Sequence, residues 1–264
     1  MIGCIRPCAR TAVGACEPFR PLLSVGIARP IPIVIVRSVI TSSPPAPTPA
    51  NRTEPASPSS SAMSSVMLGS LGFAAVSLAG FSVWAFAGRW FYQNTGEAGL
   101  YAACAVVFVG LSGLLLHPLL RGSRSLARFY KIFIPAFMAY AVVWCAAWFV
   151  GRTGVGEWVG SLAGSLVFTG MVGWSLGGFG SWGRAAMVMF VVHSAGYFLG
   201  GKLMYWMIGP DGAAMFTGLS KAQISLMAKL GWGLLYGLGF GAGLGYSFHA
   251  FQHGTKPGDD RAIA

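Results

Sequence analysis

Six long apolar runs leave this chain few folds to choose from. They lie near residues 66–88, 98–120, 132–151, 158–179, 185–208 and 228–250. A helix needs about 20 predominantly apolar residues to cross a hydrocarbon core of roughly 30 Å, and each run is long enough. None shows the strict apolar–polar alternation of a half-buried strand. In lipid every backbone N–H and C=O must be satisfied within the protein, so runs of this length are helices. The fold class expected is therefore all-α, a polytopic transmembrane bundle of six spans over residues 63–253. Composition agrees, with 9% charged residues against about 25% in a soluble domain.

Residues 1–62 are a different material. They hold 11 of the 15 prolines, six arginines and no lysine, and residues 42–62 are nearly all Ser, Pro, Ala and Thr. Such a stretch cannot bury enough apolar surface to fold, and it is expected to be a disordered N-terminal tail. Leu22–Ile40 is apolar, but Arg29, Pro30, Pro32 and Arg37 interrupt it, so it is not read as a span. An Arg-rich, acid-poor, Ser-rich tail has the style of a transit peptide. Sequence upstream of a start at Met63 or Met67 is the alternative, and the one favoured here. Ala85-Phe86-Ala87 resembles a signal-peptide cleavage site, but the run before it is too long and lacks a basic residue in front.

Charge sets the expected orientation. Arg121, Arg124, Arg128 and Lys131 make the densest basic connection, Arg184 stands alone in another, and Lys256 and Arg261 lie in the short tail 254–264. The intervening connections pair Arg89 with Glu97, Arg152 with Glu157 and Asp211 with Lys221. The positive-inside rule puts the 121–131 loop and both termini in the cytoplasm, as in a bacterial inner membrane. Trp90, Tyr92, Trp148, Trp158, Tyr205, Trp206 and Trp232 are expected at the outer interface, and Tyr130, Trp182 and Tyr246 at the inner one. Asn94 with Glu97, and Ser220 with Gln223, have the spacing of capping boxes opening the second and last helices. Pro118 and Pro135 fall near span ends. The net charge of +11 is not gathered into a basic stripe or reading motif, which argues against a nucleic-acid partner.

Glycine spacing predicts how the helices meet. Gly233, Gly237, Gly241 and Gly245 repeat every four residues, Gly239 and Gly243 form a second line, Gly156, Gly160 and Gly164 a third, and Gly196 and Gly200 a fourth. Small residues at this spacing let membrane helices approach backbone to backbone. The faces serve packing within the chain or contact with a second copy; the bilayer itself is the other expected partner. The triplet Gly-Ser-Leu occurs at 69–71 and again at 160–162, each opening a three-span half, a faint echo of the inverted repeats of transporters.

Ionisable side chains inside a membrane are functional candidates. His193 lies deepest, in the fifth span. Lys202 and Lys229 lie nearer the outer ends, where they snorkel or approach Asp211. His249 and His253 have a metal-binding spacing, but no acid or cysteine accompanies them and no metal site is assigned. Cys104 and Cys145 sit in apolar runs, while Cys4, Cys8 and Cys16 lack a Cys-x-x-Cys pair. No HExxH, P-loop or string of histidine boxes is present, and Ser165 lacks the Gly-x-Ser-Gly of intramembrane serine proteases. The sequence names no cofactor. The leading expectation is a transporter or channel for a small solute. A non-catalytic assembly subunit packing through its glycines comes second, and a membrane enzyme using His193 third.

Overall fold

The computed structural model describes residues 61–122, 124–151 and 154–253. The tail 1–60, Arg152, Lys256 and Arg261 lie outside the described residues. Seven helices form: α1 Ala62–Asn94, α2 Gly96–Leu116, α3 Ser125–Gly151, α4 Gly154–Leu176, α5 Trp182–Ile208, α6 Pro210–Met215 and α7 Lys221–His253, with no strand among the described residues. Short 3₁₀ turns at His117–Leu119 and Phe179–Ser181 prolong α2 and introduce α5. The six long helices fall on the six apolar runs. The short α6 opens on Pro210, whose fixed φ suits a first helical turn.

Five of the six long helices are long and apolar enough to cross a membrane. The sixth, α7, is as long as α1, at 33 residues, but its many glycines make it the least apolar. Its packing supplies what its composition does not. At one end of α7 Gly245 meets the backbone of Ser65, in the middle Gly241 meets Gly69 and Gly237 meets Ala74, and toward the other end Gly233 meets the Phe81 ring. Residue numbers rise along α1 as they fall along α7, so the two lie antiparallel over most of their lengths. α7 therefore lies along α1 within the bundle. The chain is a multi-pass helical membrane protein.

The long helices close a ring in the order α1, α7, α5, α4, α3, α2. Phenylalanine fills its centre. The Phe73 ring meets those of Phe108, Phe137 and Phe240, and Phe240 meets those of Phe168, Tyr140 and His193, so rings from all six long helices converge. Residues 129, 133, 137, 140 and 144 of α3 are all buried aromatics at helical spacing. Such pairs add about 0.5–1.5 kcal/mol each beyond their burial.

Side-chain donors stitch neighbouring helices through carbonyls. Ser77 Oγ donates to Gly233 O at 2.7 Å, Ser70 Oγ to Leu238 O at 3.0 Å and Tyr130 Oη to Gly110 O at 2.6 Å. Trp182 Nε1 donates to Leu166 O and Trp232 Nε1 to Tyr197 O, both at 3.2 Å.

Three local expectations are corrected. Asn94 does not open α2: its side chain donates back to Trp90 O at 2.7 Å inside α1, and the chain turns at Gly96, whose φ of +71° suits glycine. Pro135 lies well inside α3 rather than near its end, because that helix begins at Ser125. Trp232 is core, 4% exposed, rather than interfacial, because it packs on Phe81, Trp84 and Tyr197. Tyr130, half-buried, donates to the Gly110 carbonyl of α2. The Ser220 box forms as expected, with Ser220 N–H donating to Gln223 Oε1 at 2.8 Å and Gln223 N–H to Ser220 Oγ at 3.3 Å.

Candidate functional site

His193 is the one imidazole, carboxylate, ammonium or guanidinium with no exposure among the described residues. It lies eleven residues into the 27-residue α5, about 16 Å along the axis and so near mid-bundle. The helix starts at Trp182, which puts the ring deeper than the apolar run alone indicates.

Both ring nitrogens are satisfied from other helices. Tyr140 Oη of α3 lies 2.8 Å from Nε2, and Ser161 Oγ of α4 lies 3.0 Å from Nδ1. Ser161 Oγ is also 2.7 Å from Ser194 Oγ. A neutral imidazole has one N–H and one bare nitrogen, so it donates to one hydroxyl and accepts from the other. The rings of Tyr140, Tyr236 and Phe240 each stand edge-on to it at 5.6 Å, with Tyr197 at 6.3 Å. The result is a polar node at the meeting of α3, α4, α5 and α7, with aromatic rings around the imidazole.

A second level sits one turn nearer one end of the bundle. Tyr197 Oη donates to Glu157 Oε1 at 3.2 Å, and the Tyr197 ring meets that of Trp144 at 5.5 Å. Trp144 Nε1, on the ring beside Tyr197, is buried with no hydrogen-bond partner. Unpaired buried polar atoms are rare enough that each calls for an explanation.

The other expected polar residues sit apart from this node. Lys202 is nine residues along α5 from His193, about 13 Å of rise, and lines a surface groove of about 400 Å³ with Trp158, Phe198 and Ser194. Lys229 Nζ lies 4.6 Å from the centre of the Trp84 ring, a cation–π contact. Asp211 is exposed in the first turn of α6.

At the opposite end His117 Nδ1 is 2.9 Å from Ser125 Oγ, the His249 and His253 rings stack at 3.9 Å, and Arg121 Nη2 meets His253 Nε2. No group of three His, Cys, Asp or Glu residues able to hold a metal occurs among the described residues.

The glycine lines work inside the chain. Gly239 packs on Val192 and Gly196 of α5, and Gly243 on Met189, while Gly200 meets Trp232. Gly156, Gly160 and Gly164 meet Ala147, Trp144 and Tyr140 of α3. The last contact sets the position of Tyr140: a Cβ on Gly164 would stand 2.6 Å from its ring. The glycines therefore hold the node's walls together, though none of them touches the imidazole.

Sequence reasoning singled out His193 but not Tyr140, Glu157, Ser161, Ser194, Tyr197 or Tyr236. A signal was present in α4, where Glu157, Ser161, Ser165 and Thr169 recur every four residues and so share one face. The chain matches no protein-family model, no curated protein and no solved structure.

Proposed function

We propose that the chain is a membrane carrier for a small polar solute, with the His193 node as its binding and gating element. The observation that carries this is the fully buried imidazole, tied to hydroxyls of two other helices at mid-bundle. Carriers bind near the membrane midplane between their halves, and the node draws on α3 from the first half and α4, α5 and α7 from the second. The aromatic centre favours a carrier over an open channel, since rings from all six long helices block the axis. The basic 121–131 connection supports both termini lying in the cytoplasm of a bacterial inner membrane. Flux into proteoliposomes across a panel of ions, amino acids and small neutral solutes tests the reading. Uptake of at least one solute, lost in His193→Ala with the fold retained, is expected; no uptake across the panel sinks it.

One observation favours a membrane enzyme as a second reading. A hydroxyl 3.0 Å from an imidazole, whose far nitrogen is oriented by a third group, is the pattern of an activated nucleophile. That would make Ser161, rather than Ser165, the nucleophile. A fluorophosphonate probe that modifies the wild type but not Ser161→Ala would support hydrolysis; absence of labelling on accessible, folded protein in lipid returns the choice to transport.

A further inference from the structure

We propose that Glu157 and Tyr197 are the entry of a proton path to His193, and that the proton is the ion to which the carrier couples; the coupling clause rests on the carrier reading above.

The path is built from periodicity. Glu157, Ser161, Ser165 and Thr169 form one face of α4 over about 18 Å, and the last three are fully buried. Polar groups on a face turned into a membrane protein's interior bond across to other helices, and two of these, Glu157 and Ser161, reach α5. Glu157 lies in the first turn of α4 and is half-buried, so it has contact with both the helix end and the interior. It holds the Tyr197 hydroxyl. One turn further in on α4 is Ser161, and one turn further in on α5 is His193; these two are bonded to each other.

Between the two levels stands Trp144 of α3. Its indole N–H is buried beside Tyr197 without an acceptor, which costs about 1–3 kcal/mol unless an oxygen sits there. The path requires one water here, held by this N–H, to bridge the roughly 6 Å turn from Glu157 to Ser161.

The transfer balances at each atom. When Glu157 is protonated, the Tyr197 hydroxyl, which donates to the carboxylate in the structure, turns to accept the Glu157 proton and releases its own to the bridging water. The water hands a proton to Ser161 Oγ, which passes its hydroxyl proton to Nδ1. The ends are carboxylate and imidazolium, and every hydroxyl between them is restored. The titratable groups facing the imidazole are Tyr140 of α3, Tyr197 of its own helix and Tyr236 of α7; no lysine, arginine or carboxylate lies against it among the described residues.

The proton itself is the probe. The full chain, with ¹⁵N-labelled histidine, is placed in lipid nanodiscs, and the His193 signals are assigned by their loss in His193→Gln. The wild-type imidazole is expected to change protonation with bulk pH and to exchange its ring proton with water. In Glu157→Gln that exchange slows about a hundredfold, the lower end of what a positioned proton donor contributes, while Glu157→Asp retains it. Trp144→Phe slows exchange without touching either ionisable group. An imidazole locked in one neutral tautomer over the whole pH range of the fold overturns the path, as does unchanged exchange in Glu157→Gln. Solute flux alongside a locked imidazole refutes the path and leaves the carrier standing. A titrating His193 in a chain that carries no panel solute refutes the carrier and leaves the path.

Discussion

At the scale of single residues the node is held by satisfaction rather than by charge. Tyr140→Phe removes the partner of Nε2 and leaves a buried ring nitrogen unpaired, which costs about 1–3 kcal/mol. Ser161→Ala does the same at Nδ1 and strands the Ser194 hydroxyl as well, so it is expected to cost at least as much. The two changes share one imidazole, and their sum should exceed the cost of the double variant by more than the roughly 0.5 kcal/mol seen for independent sites. Unfolding in mixed detergent, followed by tryptophan fluorescence, measures all three; strict additivity would mean that the two hydroxyls do not act through His193. Ser175 offers a control. Its hydroxyl bonds only to Met171 O on its own helix and is exposed, so Ser175→Ala should fall within about 0.5 kcal/mol of wild type.

At the scale of helices, glycine decides where backbones touch. A Cβ at Gly241 would run into the Gly69 carbonyl, and a Cβ at Gly237 would stand 2.6 Å from the Ala74 Cα. Neither obstacle is a side chain that can swing away. Gly241→Leu is therefore expected to part α1 from α7 and cost more than the about 1–3 kcal/mol of ordinary overpacking. Gly201, two turns beyond His193 on α5, has nothing within 4 Å of its Cβ position, and Gly201→Ala should stabilise by about 0.5–1 kcal/mol. Size-exclusion profiles and thermal inactivation in detergent separate the two cases, and equal behaviour would remove the packing role. The glycine lines were legible because a four-residue repeat states a face. Which helix fills each face was not, because the answering surface on α1 is Ser65, Gly69 and Ala74, set among bulky residues that hide the spacing. Tyr140 and Trp144 were illegible for a related reason: on α3 they continue a buried aromatic stripe begun by Phe129, Phe133 and Phe137, and a hydroxyl in such a stripe reads as core.

At the scale of the whole molecule, the least apolar long helix carries the most structure. α7 presents one glycine face to α1 and another to α5, and α7 and α1 together contribute Tyr236, Phe240 and Phe73 to the centre of the ring. The repeated Gly-Ser-Leu places Gly69 of α1 against α7 and Gly160 of α4 against α3, which are the third long helices of the two halves. Five helices are long and apolar enough to cross a membrane, and α7, packed along α1, is expected to cross with them. The ends of α7 give the test. Near its last turn Gln252 accepts the Arg121 backbone N–H at 3.0 Å, which ties that end to the basic connection, whereas Lys229 near its start lies over Trp84, toward the end of α1. If α7 crosses the membrane, Lys221 and Arg124 lie on opposite faces, and the positive-inside rule puts Arg124 in the cytoplasm. In a background lacking native cysteines, a membrane-impermeant maleimide should label Lys221→Cys on intact cells and Arg124→Cys only after permeabilisation. Labelling of both from one face would mean that α7 does not cross, despite its antiparallel contact with α1 from Ser65 to Phe81.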